Sequence, residues 1–209
     1  MLVTGFDAFG DASINPSWLA AQALHRRQVA GHHVVAARLP TVFGQSLCEL
    51  KALLGRHRPR LVVCLGLAAG RRSISLERVA INVSDARIAD NAGARPIDRP
   101  VVADGPAAYF TSLPIKAMLL ALQRSGIAAE VSQTAGTFVC NQVFYGLMHV
   151  LATHGALDGV RGGFMHLPML PEQGTPCMAL ADMVLGLRIA IRCALQTAQD
   201  VPVGAGSTD

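Results

Sequence analysis

Cys140 has the setting that covalent chemistry requires. The glycine-containing stretch Thr134-Ala-Gly-Thr-Phe-Val-Cys140 delivers it to the start of an apolar, helix-patterned run that reaches about Thr153. A thiol at a helix N-terminus faces unpaired backbone N–H groups and the positive end of the helix dipole. Both favour the thiolate, which is the nucleophilic form. Against this stands the ordinary fate of a free cysteine, a small inert hydrophobe in a core. A thiol nucleophile also needs a base. His149 and His154 lie on the same predicted helix. At about 100° per residue His149 points to the opposite side, and at about 1.5 Å per residue His154 stands about 20 Å along the axis. His166 ends a predicted strand, at the rim where parallel sheets collect their sites, and Pro168 stiffens the chain behind it by holding Leu167 extended. Two readings of His166 remain, a base or a structural histidine bonded at a strand end.

The run Ser75-Leu-Glu-Arg-Val-Ala-Ile-Asn-Val83 alternates as an extended segment does, which puts Glu77, Val79, Ile81 and Val83 on one face. A carboxylate drawn inward beside three β-branched residues needs a partner, because an unpaired buried charge is costly. A histidine N–H is one such partner, and it would hold the imidazole in the tautomer that accepts a thiol proton. A surface pair with Arg78 or Arg87 is the other, and the sequence alone favours it.

The elements that must position these residues alternate between short β-branched runs and helical patterns, the signature of a layered α/β domain. Strands are expected over Leu2 to Gly5, His33 to Leu39, Leu61 to Leu65, Ala128 to Val131 and Val160 to His166. Helices are expected from Pro16, capped by Asn15, to about Ala30, and over about 42–57, 112–125 and 140–153. A final amphipathic helix, with Thr175 and Pro176 as its cap, reaches about Ala198. The fold expected is a single-domain, open α/β/α sandwich with a mostly parallel twisted sheet over residues 1–200. A tail over 201–209, ending Val203-Gly-Ala-Gly-Ser-Thr-Asp209, is expected to be disordered.

Composition narrows the function classes. Apolar residues make up 51% of the 209 and charged residues 15%, which leaves apolar surface for subunit contacts and predicts a homo-oligomer. The net charge of +4 comes from scattered arginines and lysines, not from a basic stripe, so nucleic-acid binding is not indicated. The five cysteines, Cys48, Cys64, Cys140, Cys177 and Cys193, form no Cys-x-x-Cys pair, and their odd number fits a reducing compartment, with the cytoplasm expected. Val131 to Leu157 lacks Asp, Glu, Lys and Arg, but its Asn, Gln, Ser, Thr and His residues make it an interior helix region, not a membrane span.

Seven segments fall together in an order that resembles the pyroglutamyl peptidase I family. They are Thr4-Gly-Phe-Asp-Ala-Phe-Gly10 with Asn15-Pro-Ser17; Glu77-Arg-Val-Ala-Ile-Asn82 running into Asp85-Ala-Arg-Ile-Ala-Asp-Asn91; Asp104-Gly-Pro-Ala-Ala-Tyr-Phe110; Leu113-Pro-Ile-Lys-Ala-Met118; the Cys140 segment; Gly162-Gly-Phe-Met-His-Leu-Pro168; and Pro171-Glu-Gln173. The resemblance implies a cysteine peptidase that removes an N-terminal pyroglutamyl residue from peptides, with Cys140 as nucleophile, His166 as base and Glu77 as orienting carboxylate. It further implies backbone N–H groups at the helix start, including that of Cys140, for the oxyanion, with Arg87 close by. A slot for the ring would be lined by Phe6, Phe9, Thr41, Ile88, Phe138 and Val139. It calls for no metal or organic cofactor, for peptides as partners without nucleic acid or membrane, and for a dimer or tetramer. Read in isolation, Phe6 and Phe9 are core residues. The chain departs from the family pattern at Ala8 and Ala89, where proline is usual, and at Leu67, where glutamine is usual. Two other classes remain open: a phosphate-holding loop at Gly66 to Arg72, and a binding module without catalysis.

Overall fold

The computed structural model describes residues 1–206. In chain order its strands are β1 (Leu2–Phe6), β2 (Gln28–Val29), β3 (His32–His33), β4 (Val35–Leu39), β5 (Leu61–Leu67), β6 (Ile74–Glu77), β7 (Val79–Ile81), β8 (Ala108–Phe110), β9 (Ala129–Ser132) and β10 (Arg161–Leu167). Its α-helices are α1 (Pro16–Leu24), α2 (Gln45–His57), α3 (Ile115–Arg124), α4 (Val139–Thr153) and α5 (Leu180–Gln196). The central sheet has the order β4-β1-β5-β10-β6-β9, parallel from β4 through β10. β6 then runs antiparallel to β10, and β9 runs parallel to β6. The sheet is thus mostly parallel, as expected, with one reversal.

Alternation along β1 and β5 sends Val3, Val63 and Leu65 to one core and Leu2, Val62 and Cys64 to the other. Leu24 of α1, Met118 and Leu122 of α3 and Met183 and Leu187 of α5 cover the first face, while Leu50 and Leu54 of α2 and Val143 and Leu147 of α4 cover the second. Both faces are therefore covered by helices, the requirement for a buried parallel sheet. The β1–α1 junction is held by Asn15, whose Oδ1 accepts from the backbone N–H and hydroxyl of Ser17, while the Ser17 hydroxyl accepts from the Phe6 N–H. No helix among the described residues is long and apolar enough to cross a membrane.

The differences from expectation have local causes. α1 stops at Leu24, six residues early, because Arg26 takes a positive φ of 62° and the Arg26 N–H bonds Val34, turning the chain into the β2–β3 ribbon. α5 begins at Leu180 because Cys177 bridges Met169 and the Met178 N–H bonds the Met169 carbonyl, which keeps that stretch extended; Thr175 is not its cap. The extended run around Glu77 breaks at Arg78, so Glu77 ends one sheet's strand while Val79 and Ile81 belong to a separate ribbon with β8. Of the expected tail, the Ala205 carbonyl accepts from Arg78 Nη2 at 3.0 Å, and 207–209 lie outside the described residues.

Candidate active site

The C-terminal ends of β1, β4, β5 and β10 lie together at one rim, and α4 begins above it. Cys140 is the second residue of α4. Gly136, at φ 75°, supplies the left-handed turn that aims the chain into the helix, and a mutual pair of bonds (Asp85 N–H to the Thr137 carbonyl, Thr137 hydroxyl to the Asp85 carbonyl) fixes the loop. Among the described residues no side chain caps α4 and no acidic residue stands in its first turn, so no side chain competes with an incoming oxygen for its leading N–H groups. Asn141, fully buried, ties the next turn to β7 through bonds to the Ile81 N–H and to the Ile81 and Val83 carbonyls.

Beneath the thiol is Gly66 of β5. A Cβ there would lie 2.8 Å from Cys140 Sγ and 2.9 Å from the Phe164 ring, so glycine is what allows the sulfur to rest on the strand. The parallel register places His166 of β10 directly beside Gly66. His166 is 4% exposed, and its Nδ1 lies 2.7 Å from Glu77 Oε1. A carboxylate only accepts, so the proton sits on Nδ1 and the Nε2 lone pair is left free. Among the described residues no hydrogen bond joins Cys140 to His166; the thiol is brought alongside by the strand register rather than by a formed bond.

Glu77 is fully buried and does not form the surface pair that the sequence alone favoured. Its Oε1 takes both the His166 bond and one from Arg71 Nη1, again at 2.7 Å, while its Oε2 is buried without a partner. Burial pushes the Cys140 thiol up to about 12; Glu77 adds to that rise, and Arg71 and the residue's own backbone N–H oppose it. Burial thus acts on the thiol in the direction opposite to the helix N-terminus. Cys140 nevertheless keeps a partly exposed edge through which a ligand can reach it.

Phe9 and Phe138, two of the residues expected to line a slot, meet at 5.3 Å between centroids, and Phe43, which the sequence reading passed over, packs edge-on against Phe138 at 5.1 Å. Thr41 is held by Asp7, whose Oδ1 accepts from both its N–H and its hydroxyl at 2.7 Å. Phe6 and Val139 are buried in the core below, Phe6 facing Phe164. Arg87 and Ile88 stand exposed on the β7–β8 connection, which Asn91 ties back to Ala8. Leu67 closes β5 opposite Leu167. His149 is engaged with Tyr109 and Tyr145, away from Cys140. The group missed altogether is Arg71. A buried carboxylate that serves an imidazole needs a cation nearby, and the adjacent Arg78 turns instead to the Ala205 carbonyl, leaving Arg71 of the β5–β6 loop to reach Glu77.

Known proteins match this arrangement. The family model described as pyroglutamyl peptidase matches residues 1–197. A pyrrolidone-carboxylate peptidase of Cupriavidus taiwanensis is 57% identical over 96% of this chain and 95% of its own length, and one from Ralstonia nicotianae is 53% identical over 99% and 97%. The crystal structure of pyroglutamyl peptidase I from Bacillus amyloliquefaciens superposes with a TM-score of 0.94 at 42% identity, covering 97% of this chain and 98% of that one. Pyrrolidone carboxyl peptidase from Thermococcus litoralis superposes with a TM-score of 0.93 at 33% identity, over 97% and 98%. Identity above one half over nearly the whole length and a family model spanning residues 1–197 place this chain in the pyroglutamyl peptidase family.

Proposed function

We propose that this chain hydrolyses the amide bond after an N-terminal pyroglutamyl residue, with Cys140, His166 and Glu77 as its catalytic triad. The observation that carries this is the 2.7 Å Glu77–His166 bond set beside a thiol seated on Gly66, in a member of this family. His166 Nε2 takes the thiol proton as sulfur attacks the scissile carbonyl, and the leading N–H groups of α4 receive the oxyanion. The imidazolium then protonates the departing amine, leaving a thioester. Water, deprotonated by the same imidazole, cleaves the thioester and releases 5-oxoproline.

The lactam ring is small, flat and uncharged, and in this reading the paired rings of Phe9 and Phe138, with Thr41, receive it in an apolar slot. Phe6 and Val139 form the floor, and Ile88 and Arg87 the open edge, in this reading. An ordinary N-terminus brings an ammonium that would lose its water without gaining a counter-charge. Purified protein should therefore release a fluorophore from a pyroglutamyl amide about 10²-fold or more faster than from alanyl or glutamyl amides. Equal rates on the three would remove the reading.

The unit carrying this activity is residues 1–200, and we assign it to a homo-oligomer, a dimer or a tetramer, in the reducing cytoplasm. Exposed Ile88, Ile97, Phe110 and Leu185 support the first and five free cysteines the second. Light scattering that returned a monomer mass would refute the oligomer, and cell fractionation checks the compartment.

A further inference from the structure

Arg71 leaves the β5–β6 loop with its two guanidinium nitrogens engaged on different parts of the site. Nη1 donates to Glu77 Oε1 at 2.7 Å, and Nη2 donates to the Thr134 carbonyl at 3.1 Å. Thr134 begins the turn that leads through Gly136 to Cys140, and its own geometry is pinned by Ser132, whose hydroxyl donates to the same carbonyl. One planar group thus joins the carboxylate side of the site to the thiol side. Glu77 Oε1 is the shared acceptor of Arg71 and His166, while its second oxygen is buried with no partner. The charge of Glu77 is met at a single atom, and Arg71 is the only arginine or lysine found there among the described residues.

We propose that Arg71 is a positioning residue for the reaction: it holds Glu77 with Oε1 turned to the His166 N–H, and it fixes the loop that delivers Cys140. This rests on the triad reading above. Glu77 from β6, Cys64 from β5 and Arg71 from the loop act on the thiol, His166 of β10 stands beside the Gly66 on which the sulfur rests, and Arg71 alone among them brings permanent positive charge. Without it, no permanent positive charge offsets Glu77, and the Cys140 thiol gives up its proton less readily, since Arg71 is the side chain whose charge lowers it. Lysine would restore the charge but not both bonds, since an ammonium is a point donor and cannot span two acceptors as a planar fork does.

The test compares Arg71→Gln and Arg71→Lys with the unaltered protein, using Tm to check folding. Iodoacetamide alkylation, followed by mass mapping of the Cys140 peptide across pH, reads the thiol without relying on peptidase activity. Arg71→Gln should move the alkylation profile and the acid limb of kcat/KM upward by about one pH unit, so that alkylation at neutral pH slows about tenfold. Its kcat should fall about tenfold or more with KM within about twofold. Arg71→Lys should keep the pH profile and lose about three- to tenfold in kcat, the share owed to the Thr134 bond. A glutamine profile that superposes on the unaltered one overturns the proposal. If the glutamine variant does not fold, a lysine variant with unchanged kcat overturns it. If the unaltered protein fails to cleave pyroglutamyl amides while Arg71→Gln still shifts alkylation, the peptidase reading falls and the role of Arg71 in setting the thiol stands.

Discussion

Replacing Cys140 by serine should lower kcat on a pyroglutamyl amide by about 10⁴-fold or more, with KM within about threefold and Tm within about 3 °C. The substitution keeps a hydroxyl where the thiol was, so the Gly66 seat stays filled and the fold is undisturbed. What is lost is a nucleophile that His166 can deprotonate. Burial has already pushed the thiol up to about 12, so at neutral pH the proton must move to imidazole as the bond to carbon forms. Serine, with a far less acidic proton, makes that coupled step much harder. A variant retaining a tenth of the activity would remove Cys140 from the reaction.

The same raised thiol has a consequence for stability. Cys64, on the strand below, is likewise raised to about 12 by burial. In the unfolded chain both thiols release their protons near the ordinary value of 9.0, whereas the native protein holds them. Stability contributed by these neutral thiols is complete below about 9 and is lost as pH rises toward about 12. Alkylation of Cys140 should correspondingly climb through the alkaline range instead of staying flat to acid pH, as a preformed thiolate–imidazolium pair would make it do.

Much of this was legible in the sequence because it depends on local rules. Asn15-Pro16 announced the start of α1, the apolar β-branched run Leu61 to Leu65 announced β5, which continues through Gly66 to Leu67, and the charge-free apolar run around Val143 gave α4. What the sequence hid depends on pairing between distant segments. The reversal of β6 beside β10 carries Glu77 to the histidine, and no periodicity within 75–83 reports which strand lies next to it. Alternation across Arg78 pointed to one continuous strand, yet the chain changes sheets there, since Glu77 pairs with Ser132 of β9 and Val79 with Phe110 of β8. The surroundings of the thiol are hidden in the sequence for a related reason. The helix N-terminus is visible in the sequence, but the burial that raises the thiol comes from distant segments, with Gly66 of β5 and Phe164 of β10 packed at the sulfur and Glu77 of β6 adding its charge.

Replacing Glu77 by glutamine should lower kcat by about 10²–10⁴-fold with KM nearly unchanged, since only the charge on a group that does not touch the substrate is altered. The amide fits the same volume and can turn its oxygen to the position of Oε1, where both Arg71 and His166 donate. It cannot stabilise the imidazolium that forms when His166 takes the thiol proton, and that charge appears in a buried place where water does not compensate for it. Turned the other way, the amide N–H faces His166 Nδ1 and favours the tautomer with its proton on Nε2, which has no lone pair for the thiol. Either orientation therefore removes the base, by electrostatics in one case and by tautomer in the other. Nitrogen chemical shifts of His166 separate the two, because they report which ring nitrogen is protonated. Arg71, with 27% of its side chain exposed, can turn to water when its carboxylate is gone, so Tm should fall only by a few degrees. A glutamine variant with kcat within threefold of the unaltered enzyme would show that Glu77 merely fills space behind the histidine.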